Sequence, residues 1–316
     1  MQFNRKIFLS IVTLLTIIVF IVAYLFYVMP INDHRIFGVT YMTMNNPFYE
    51  IINNELKKNI EKNGDRLITL DPQLDIDKQN KQIYSFIEQK VDGIFINPID
   101  AKKIEPALKA AKKAHIPIIT VDAPVTNKDL VNCTVVSDNY NAGVQCAKYM
   151  MSKLKSANIV LLKHTTALSA KQRIEGFLDT IDAHSEYKII NQGECKGQLE
   201  KAMPVMQRIL KETPEVDVVM ALNDPSALGA LAALESMGYE DVMVYGVDGT
   251  PDIKSLIEES PMVAGTVAQS PISIGKIAAK NMYDLLSGKE IGSNIVIPVE
   301  IITKENIAQF NKTGWQ

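Results

Sequence analysis

The fold is decided by one stretch near the start of the chain, IFGVTYMTMNNPFYEIINNELKKNI at residues 36–60. Its first six residues form an apolar run that is typical of a buried strand. Apolar residues then recur at fourfold spacing, as on one face of a helix, at Phe48, Ile52, Leu56 and Ile60. Asn46 stands where a helix N-cap is expected and Pro47 at the first helical position. The stretch therefore predicts a strand-to-helix turn at the carboxyl edge of a sheet, where open α/β folds bind ligands.

Apolar runs and amphipathic segments alternate along the rest of the chain after a short polar spacer. Strands are predicted at 36–41, 66–71, 93–97, 117–121, 133–137, 158–163, 187–191, 217–221, 242–247, 263–268 and 294–302. Helices are predicted at 46–62, 76–90, 101–114, 169–184, 197–212, 225–237, 251–259 and 271–287. The strands are nearly continuous apolar runs, which is typical of parallel sheets covered by helices on both faces. There are too many units for one sheet, so we expect two similar α/β halves, divided after Ser137.

The composition narrows the function classes. The chain has 316 residues, 47% of them apolar, and a net charge of −3, which argues against a nucleic-acid partner. Three scattered cysteines (Cys133, Cys146, Cys195) favour reduced thiols over a disulfide and do not have zinc-site spacing. The four histidines have no Ser or Cys partner motif, and no glycine-rich phosphate loop follows the first strand. We therefore predict no catalytic residue, no metal and no cofactor.

Residues 7–29 are a run of 23 residues without a charge, whereas a membrane span needs about 20. The run ends without the small-residue pattern of a signal cleavage site, which favours an uncleaved anchor over a cleaved signal. Arg5 and Lys6 precede it, so residues 1–6 are expected in the cytoplasm and the rest outside. The sequence thus predicts a single-pass protein of the cell membrane with an extracytoplasmic domain.

Polar residues gather where the predicted strands end: Asn97, Asp100, Asp122, Asp138, Asn139, Arg173, Asn223, Asp224, Asp248 and Gln269. In a doubly wound domain these positions share one edge, and two facing edges make a cleft. Asn and Asp after strands are also common helix caps, and we interpret Asn97, Asp138 and Asp224 in that way. Asp122, Asp248 and Arg173 are better candidates for the cleft itself, because Thr250 can cap the helix that follows Asp248.

Several motifs in order resemble the type I periplasmic sugar-binding proteins, the ribose-binding group in particular. They lie at 45–49 (NNPFY), 96–98 (INP), 119–122 (ITVD), 173–177 (RIEGF), 221–230 (ALNDPSALGA) and 246–252 (GVDGTPD). The resemblance covers residues 36–302. It implies two Rossmann-like doubly wound α/β domains joined by a three-strand hinge near Ser137, Ala268 and Pro298. One domain would comprise 35–136 and 269–297, and the other 137–268 and 298–316.

The resemblance also implies a monosaccharide site. Asn46 and Asp122 would bind sugar hydroxyls from the first domain, where Phe48 and Tyr49 would stack on the sugar ring. Arg173, Asn223 and Asp248 would bind hydroxyls from the second domain, and Gln269 would do so from the hinge. Carboxylates and arginine suit this task because charge-assisted hydrogen bonds to hydroxyls are strong.

Three departures from the ribose pattern make the sugar itself an open question. Met42 replaces a small hydroxyl residue, Ala123 replaces an arginine, and residues 194–198 lack the usual aromatic. A pentose such as D-xylose or ribose is favoured over a hexose. Lys196 and His164, like Met42, are secondary candidates for the site.

The predicted anchor suggests the partner. The short cytoplasmic tail holds no output domain, so a signal would leave through another membrane protein. The chain resembles anchored sugar receptors, such as those for xylose, that pair with a two-component sensor histidine kinase. The alternative is a substrate-binding subunit of an ABC importer that meets a permease. In either case the sugar would close the two domains, and the second domain would move because the first is tethered.

Overall fold

The structure is a computed structural model that describes residues 5–28 and 34–316. It divides into two compact units, residues 1–35 and 36–316, which we describe separately.

The described part of the N-terminal unit contains helix α1 (Arg5–Val28). Its window Ile7–Tyr24 has a mean hydropathy of 2.8 and is fully exposed, so α1 is long and apolar enough to cross a membrane. A signal sequence near an N-terminus meets the same criterion. Residues 1–4 of the predicted tail and Met29, the end of the predicted span, lie outside the described residues.

The larger unit contains two six-stranded sheets. The strands of the first sheet are β1 (Ile36–Thr40), β2 (Arg66–Leu70), β3 (Gly93–Ile96), β4 (Ile118–Val121), β5 (Cys133–Ser137) and β11 (Asn294–Ile297). They are all parallel, in the order β11-β5-β4-β3-β1-β2. The helices of this part are α2 (Pro47–Glu61), α3 (Ile76–Glu88), α4 (Glu105–Lys113) and α10 (Pro271–Leu286). We call this part the first lobe.

The second lobe repeats this arrangement, with strand order β12-β10-β9-β8-β6-β7 and an antiparallel edge strand β12. Its strands are β6 (Ala157–Lys163), β7 (Tyr187–Glu194), β8 (Val218–Ala221), β9 (Met243–Asp248), β10 (Val263–Ala268) and β12 (Glu300–Thr303). Its helices are α5 (Asn139–Lys153), α6 (Leu168–Ile181), α7 (Leu199–Glu212), α8 (Asp224–Ser236) and α9 (Pro251–Glu259).

The predicted fold of two α/β lobes with parallel sheets is confirmed. Strands β3, β4 and β8 are buried at every residue, because helices cover both sheet faces. The chain passes between the sheets three times, after β5, after β10 and between β11 and β12. The two sheets share one strand order, so the ends of β4 and β9 occupy equivalent places in the two lobes.

Several predicted boundaries were wrong, and helix α5 (Asn139–Lys153) was not predicted. The single extended piece at 294–302 is two strands, because β11 and β12 join different sheets. Helix α4 begins at Glu105 rather than at residue 101, since residues 101–104 form turns. Strand β7 continues to Glu194, three residues beyond its predicted end, and its pairing with β6 shifts register once on the way.

Candidate functional site

A cavity lies where the carboxyl ends of both sheets face each other, and both lobes line it. The lining residues are Met42, Asn46, Phe48, Tyr49, Leu74, Asp122, His164, Ala167, Ser169, Ala170, Arg173, Lys196, Gly197, Gln198, Leu222, Asn223 and Asp248. The lobes touch beside it, where Thr166 Oγ1 donates to the Ile99 carbonyl at 3.3 Å. The cavity volume is about 30 Å³, close to that of one or two waters, so the lobes must part to admit anything larger.

Asp122 stands at the end of β4, buried and in a left-handed backbone conformation with φ +66°. Its Oδ2 accepts a hydrogen bond from Asn97 Nδ2 at 3.0 Å. Asn97 also donates to the Val121 carbonyl and accepts from the Met42 amide, so it connects three neighbouring segments. The interpretation of Asn97 as a helix cap was therefore wrong, because its side-chain oxygen and nitrogen both form hydrogen bonds within this buried network.

Asp248 holds the equivalent place at the end of β9 and also has a positive φ, +146°. Its Oδ1 accepts from Gln269 Nε2 at 2.7 Å. Gln269 is not among the residues that line the cavity, and the structure places it beside Asp248. Non-glycine residues with strained backbones concentrate at functional sites. Here each lobe has one such residue, at the equivalent edge of its own sheet.

Arg173 reaches the cavity from α6 and is fixed by the second lobe. Its Nε donates to Asn139 Oδ1 at 2.8 Å and its Nη1 to the Leu222 carbonyl at 2.9 Å. A Cβ at Gly143 would lie 1.8 Å from the Arg173 carbonyl oxygen, so this glycine allows α5 and α6 to approach closely. The guanidinium consequently faces both carboxylates, with N–O distances of 3.7 Å to Asp248 and 4.0 Å to Asp122.

Three buried oxygens around this arginine have no hydrogen-bond partner: Asp122 Oδ1, Asp248 Oδ2 and Gln269 Oε1. Burial raises the pKa of both carboxyls, and the nearby Arg173 opposes that shift. An unpaired buried acceptor costs about 1–3 kcal/mol, so the two on the cavity-lining carboxyls indicate a ligand that brings hydrogen-bond donors. Two carboxylates facing one guanidinium leave a net negative charge, which disfavours an anion, and hydroxyls are neutral donors that suit the unpaired oxygens.

The aromatic pair forms two adjoining walls rather than one flat face. The rings of Phe48 and Tyr49 meet at 80° with centroids 6.0 Å apart, so they cannot both stack on one ring from the same side. The Tyr49 hydroxyl donates to Met42 Sδ at 3.5 Å. Burial, followed by the charges of Asp122 and Asp248, raises the pKa of Tyr49, which keeps the phenol neutral.

Two asparagines predicted in the site also cap helices. Asn46 Oδ1 accepts from the Phe48 amide at 3.0 Å, which confirms the predicted start of α2. Asn223 Oδ1 accepts from the Ser226 amide, and its Nδ2 donates to the Gly197 carbonyl. Asn223 is therefore the N-cap of α8, and the prediction that Asp224 caps this helix was wrong. Asp138 does cap α5, as predicted.

Asp224 is fully buried and is held by the Thr250 amide and by Thr266 Oγ1, at 2.8 and 2.6 Å. Burial is the main cause that raises its pKa to about 6. A carboxyl whose pKa is raised on folding stabilises the protein at low pH, and this stabilisation is lost as pH rises through the folded pKa. We expect the unfolding free energy of wild type, relative to Asp224→Asn, to fall by about 2 kcal/mol between pH 4 and pH 7.

Urea denaturation of both proteins at several pH values measures this difference. Asp241→Asn, at an exposed position, is the matched control and should leave the pH dependence unchanged. Parallel curves for wild type and Asp224→Asn would contradict the prediction.

The secondary candidates also line the cavity. His164 is buried, and burial lowers its pKa, so the imidazole is neutral beside Thr166 Oγ1 at 3.2 Å. Lys196 is exposed at the rim, in a left-handed conformation with φ +54°. The sequence analysis did not predict that Asn139 positions Arg173. Its place shortly after β5, at the start of α5, could have indicated this role.

The described residues show three buried cysteines, all free. Burial raises the pKa of each thiol, which makes them poor nucleophiles. Over residues 5–28 and 34–316, no group of three His, Cys, Asp or Glu side chains is placed to hold a metal ion.

Comparison with known proteins agrees with this architecture. Residues 37–290 match the family described as "Periplasmic binding protein domain". The ribose import binding protein RbsB of Bacillus subtilis is 33% identical over 270 residues, which cover 85% of this chain and 87% of that protein. RbsB of Escherichia coli is 31% identical over 265 residues, with 83% and 88% covered.

A solved solute-binding protein of an ABC transporter from Mycobacterium smegmatis, with bound glycerol, superposes with a TM-score of 0.83. It is 26% identical, and the match covers 88% of this chain and 96% of that one. A similar protein from Bacillus halodurans with bound myo-inositol has a TM-score of 0.81 and 27% identity, over 89% and 98%. The chain therefore belongs to the type I periplasmic binding protein family, in its ribose-binding-like group.

Proposed function

We propose that the chain binds a monosaccharide between its two lobes. The observation that carries this proposal is the pair of unpaired acceptors that line the cavity, Asp122 Oδ1 and Asp248 Oδ2, beside one guanidinium. Sugar hydroxyls can donate to the carboxylates and accept from Arg173 at the same time. The role is binding rather than catalysis.

The proposed contacts are divided between the lobes. Asn46 and Asp122 bind hydroxyls from the first lobe, where Phe48 supplies one apolar wall and Tyr49 the other. Arg173, Asn223 and Asp248 bind from the second lobe. Gln269 acts through its hydrogen bond to Asp248. Met42, His164 and Lys196 also line the cavity and are secondary contacts.

A pentose such as D-xylose or D-ribose is the proposed ligand class, ahead of a hexose. Relatives with the names ribose import binding protein, xylitol-binding protein and D-apiose import binding protein support a five-carbon ligand. Met42, a larger residue than the small hydroxyl residue of the ribose pattern, lines the cavity and accepts a hydrogen bond from Tyr49, which also supports a small sugar. A galactofuranose-binding relative supports the hexose alternative.

The lobes are proposed to open and close about the three crossovers near Ser137, Ala268 and Pro298, with residues 35–136 and 269–297 moving against 137–268 and 298–316. A sugar that contacts both lobes binds the closed form better and therefore shifts the equilibrium toward it. If α1 anchors the first lobe to the cell membrane, the second lobe is the one that moves.

We expect residues 34–316 to bind D-xylose or D-ribose in calorimetry, to melt at a higher temperature with sugar, and to compact in X-ray scattering. Ligand binding to the native state raises stability by mass action, and closure reduces the radius of gyration. Sucrose, too large for the cleft, is the control. Unchanged scattering at saturating sugar would contradict closure, whereas the absence of binding heat with every pentose and hexose tested would contradict the proposed function.

Two partners fit a sugar-dependent change of surface. A membrane sensor histidine kinase is supported by the apolar helix α1, which could hold the chain beside such a protein. A permease of an ABC importer is supported by relatives whose names describe ribose import and ABC-transporter solute binding. The genes beside this one distinguish them, because a kinase with a response regulator or a permease with an ATPase should be encoded there.

A further inference from the structure

The chain does not end at its last strand, β12. Residues 304–316, which we call the C-terminal strap, continue past a short 3₁₀ turn at Ile307–Gln309 to the single tryptophan of the sequence, Trp315. The strap is the only part of the described chain, residues 5–28 and 34–316, that follows the last crossover and β12.

The strap is fixed to α9 of the second lobe by a buried lysine. Lys254 is fully buried, and its Nζ donates to the carbonyls of Asn311 and Gly314, each at 2.5 Å. Burial lowers the pKa of this amine. A buried ammonium is costly unless it is hydrogen-bonded, so these two carbonyls and Lys254 require each other. At the surface, Lys312 adds an ion pair with Glu258 at 2.6 Å.

At its end the strap contacts the first lobe. The rings of Trp315 and Phe48 meet edge to face at 67°, with centroids 5.6 Å apart. Phe48 belongs to α2 of the first lobe, is 2% exposed and lines the cavity. The contact therefore joins the lobes at an aromatic wall of the candidate site.

We propose that Trp315 is a positioning residue of the sugar site, which latches the closed form by packing against Phe48. The strap moves with the second lobe, because Lys254 holds it there, so the contact is made on closure and lost on opening. Trp315 does not touch the sugar; it fixes the Phe48 ring and slows reopening. This inference rests on the proposed function, that the cleft closes on a monosaccharide.

The test uses the full chain in detergent micelles and whichever of D-xylose and D-ribose binds more tightly. Trp315→Ala should raise the Kd about 3- to 10-fold, as expected for loss of one aromatic pair. The change should lie in the dissociation rate, with the association rate and the sugar-free melting temperature unchanged. Trp315→Phe should restore most of the affinity, and Lys312→Ala, which removes only the surface ion pair, is the matched control.

A second measurement uses Trp315 as the sole tryptophan fluorophore. In wild type, sugar should shift its emission and protect it from acrylamide, since closure covers the ring. Lys254→Met, which fills the same space without the two hydrogen bonds, should bind sugar more weakly and lose the shift. Wild-type binding heat with an unchanged dissociation rate in Trp315→Ala would overturn the latch alone. No binding heat in wild type would overturn the proposed function and the latch with it.

Discussion

Arg173→Ala is expected to raise the Kd for the sugar by roughly 100-fold or more. The arginine is the cation that faces both Asp122 and Asp248, and its removal leaves two buried carboxylates without a counter-charge when the lobes close. Breaking a buried ion pair by removing one partner costs about 3 kcal/mol or more, which is roughly a 100-fold rise in Kd. Isothermal calorimetry with D-xylose and D-ribose measures the loss.

The matched control for this variant is Arg208→Ala, which removes an arginine from an exposed pair with Glu212 on α7. Exposed pairs contribute little, so both affinity and stability should stay near wild type. Arg173→Lys tests the planar guanidinium group itself. Lysine keeps the charge but cannot reproduce the hydrogen bonds to both Asn139 and the Leu222 carbonyl. Wild-type affinity in a folded Arg173→Ala protein would remove this residue from the site.

Asp122→Asn is expected to weaken binding by about 2 kcal/mol or more, roughly 30-fold in Kd, because a hydrogen bond to a charged acceptor contributes about that much. Asparagine is the appropriate replacement, since it tolerates the left-handed backbone at φ +66° that alanine does not favour. The new amide also places a donor opposite Arg173. Thermal melting should show that the variant folds.

Asp241→Asn, an exposed acid outside the cleft, is the control for this change. The double variant Asp122→Asn with Arg173→Lys should lose less affinity than the sum of the two single variants, because residues that share one site couple. Full additivity would show that the two side chains contribute independently and would contradict a shared contact with one ligand.

The sequence predicted those features that depend on local pattern. Buried strands appear as continuous apolar runs, and the caps at Asn46 and Asp138 stand beside the helices that they begin. The cluster of polar residues at the strand ends could also be predicted from the sequence, because parallel strands bring their carboxyl ends to one edge of the sheet. Asp122, Arg173 and Asp248 could therefore be predicted to lie in one cleft.

What the sequence could not predict depends on pairings between distant segments. Asn97 has the sequence neighbours of a helix-capping asparagine, yet its side-chain amide donates a hydrogen bond to Asp122, 25 residues away. Asn139 meets Arg173 across 34 residues, and Trp315 meets Phe48 only after the chain has crossed between the lobes three times. The periodicity of apolar residues in the sequence does not indicate such contacts, because they depend on how whole helices are packed.

The division of residues 294–303 between β11 and β12 has a consequence for how the protein is made. β11 completes the first sheet and β12 the second, so each lobe lacks an edge strand until the last tenth of the chain has been synthesised. Helix α10, which packs on α2, is also translated after strands β6 to β10 of the second lobe. Neither half can mature separately on the ribosome, and a nascent chain released early would expose two open sheet edges to aggregation.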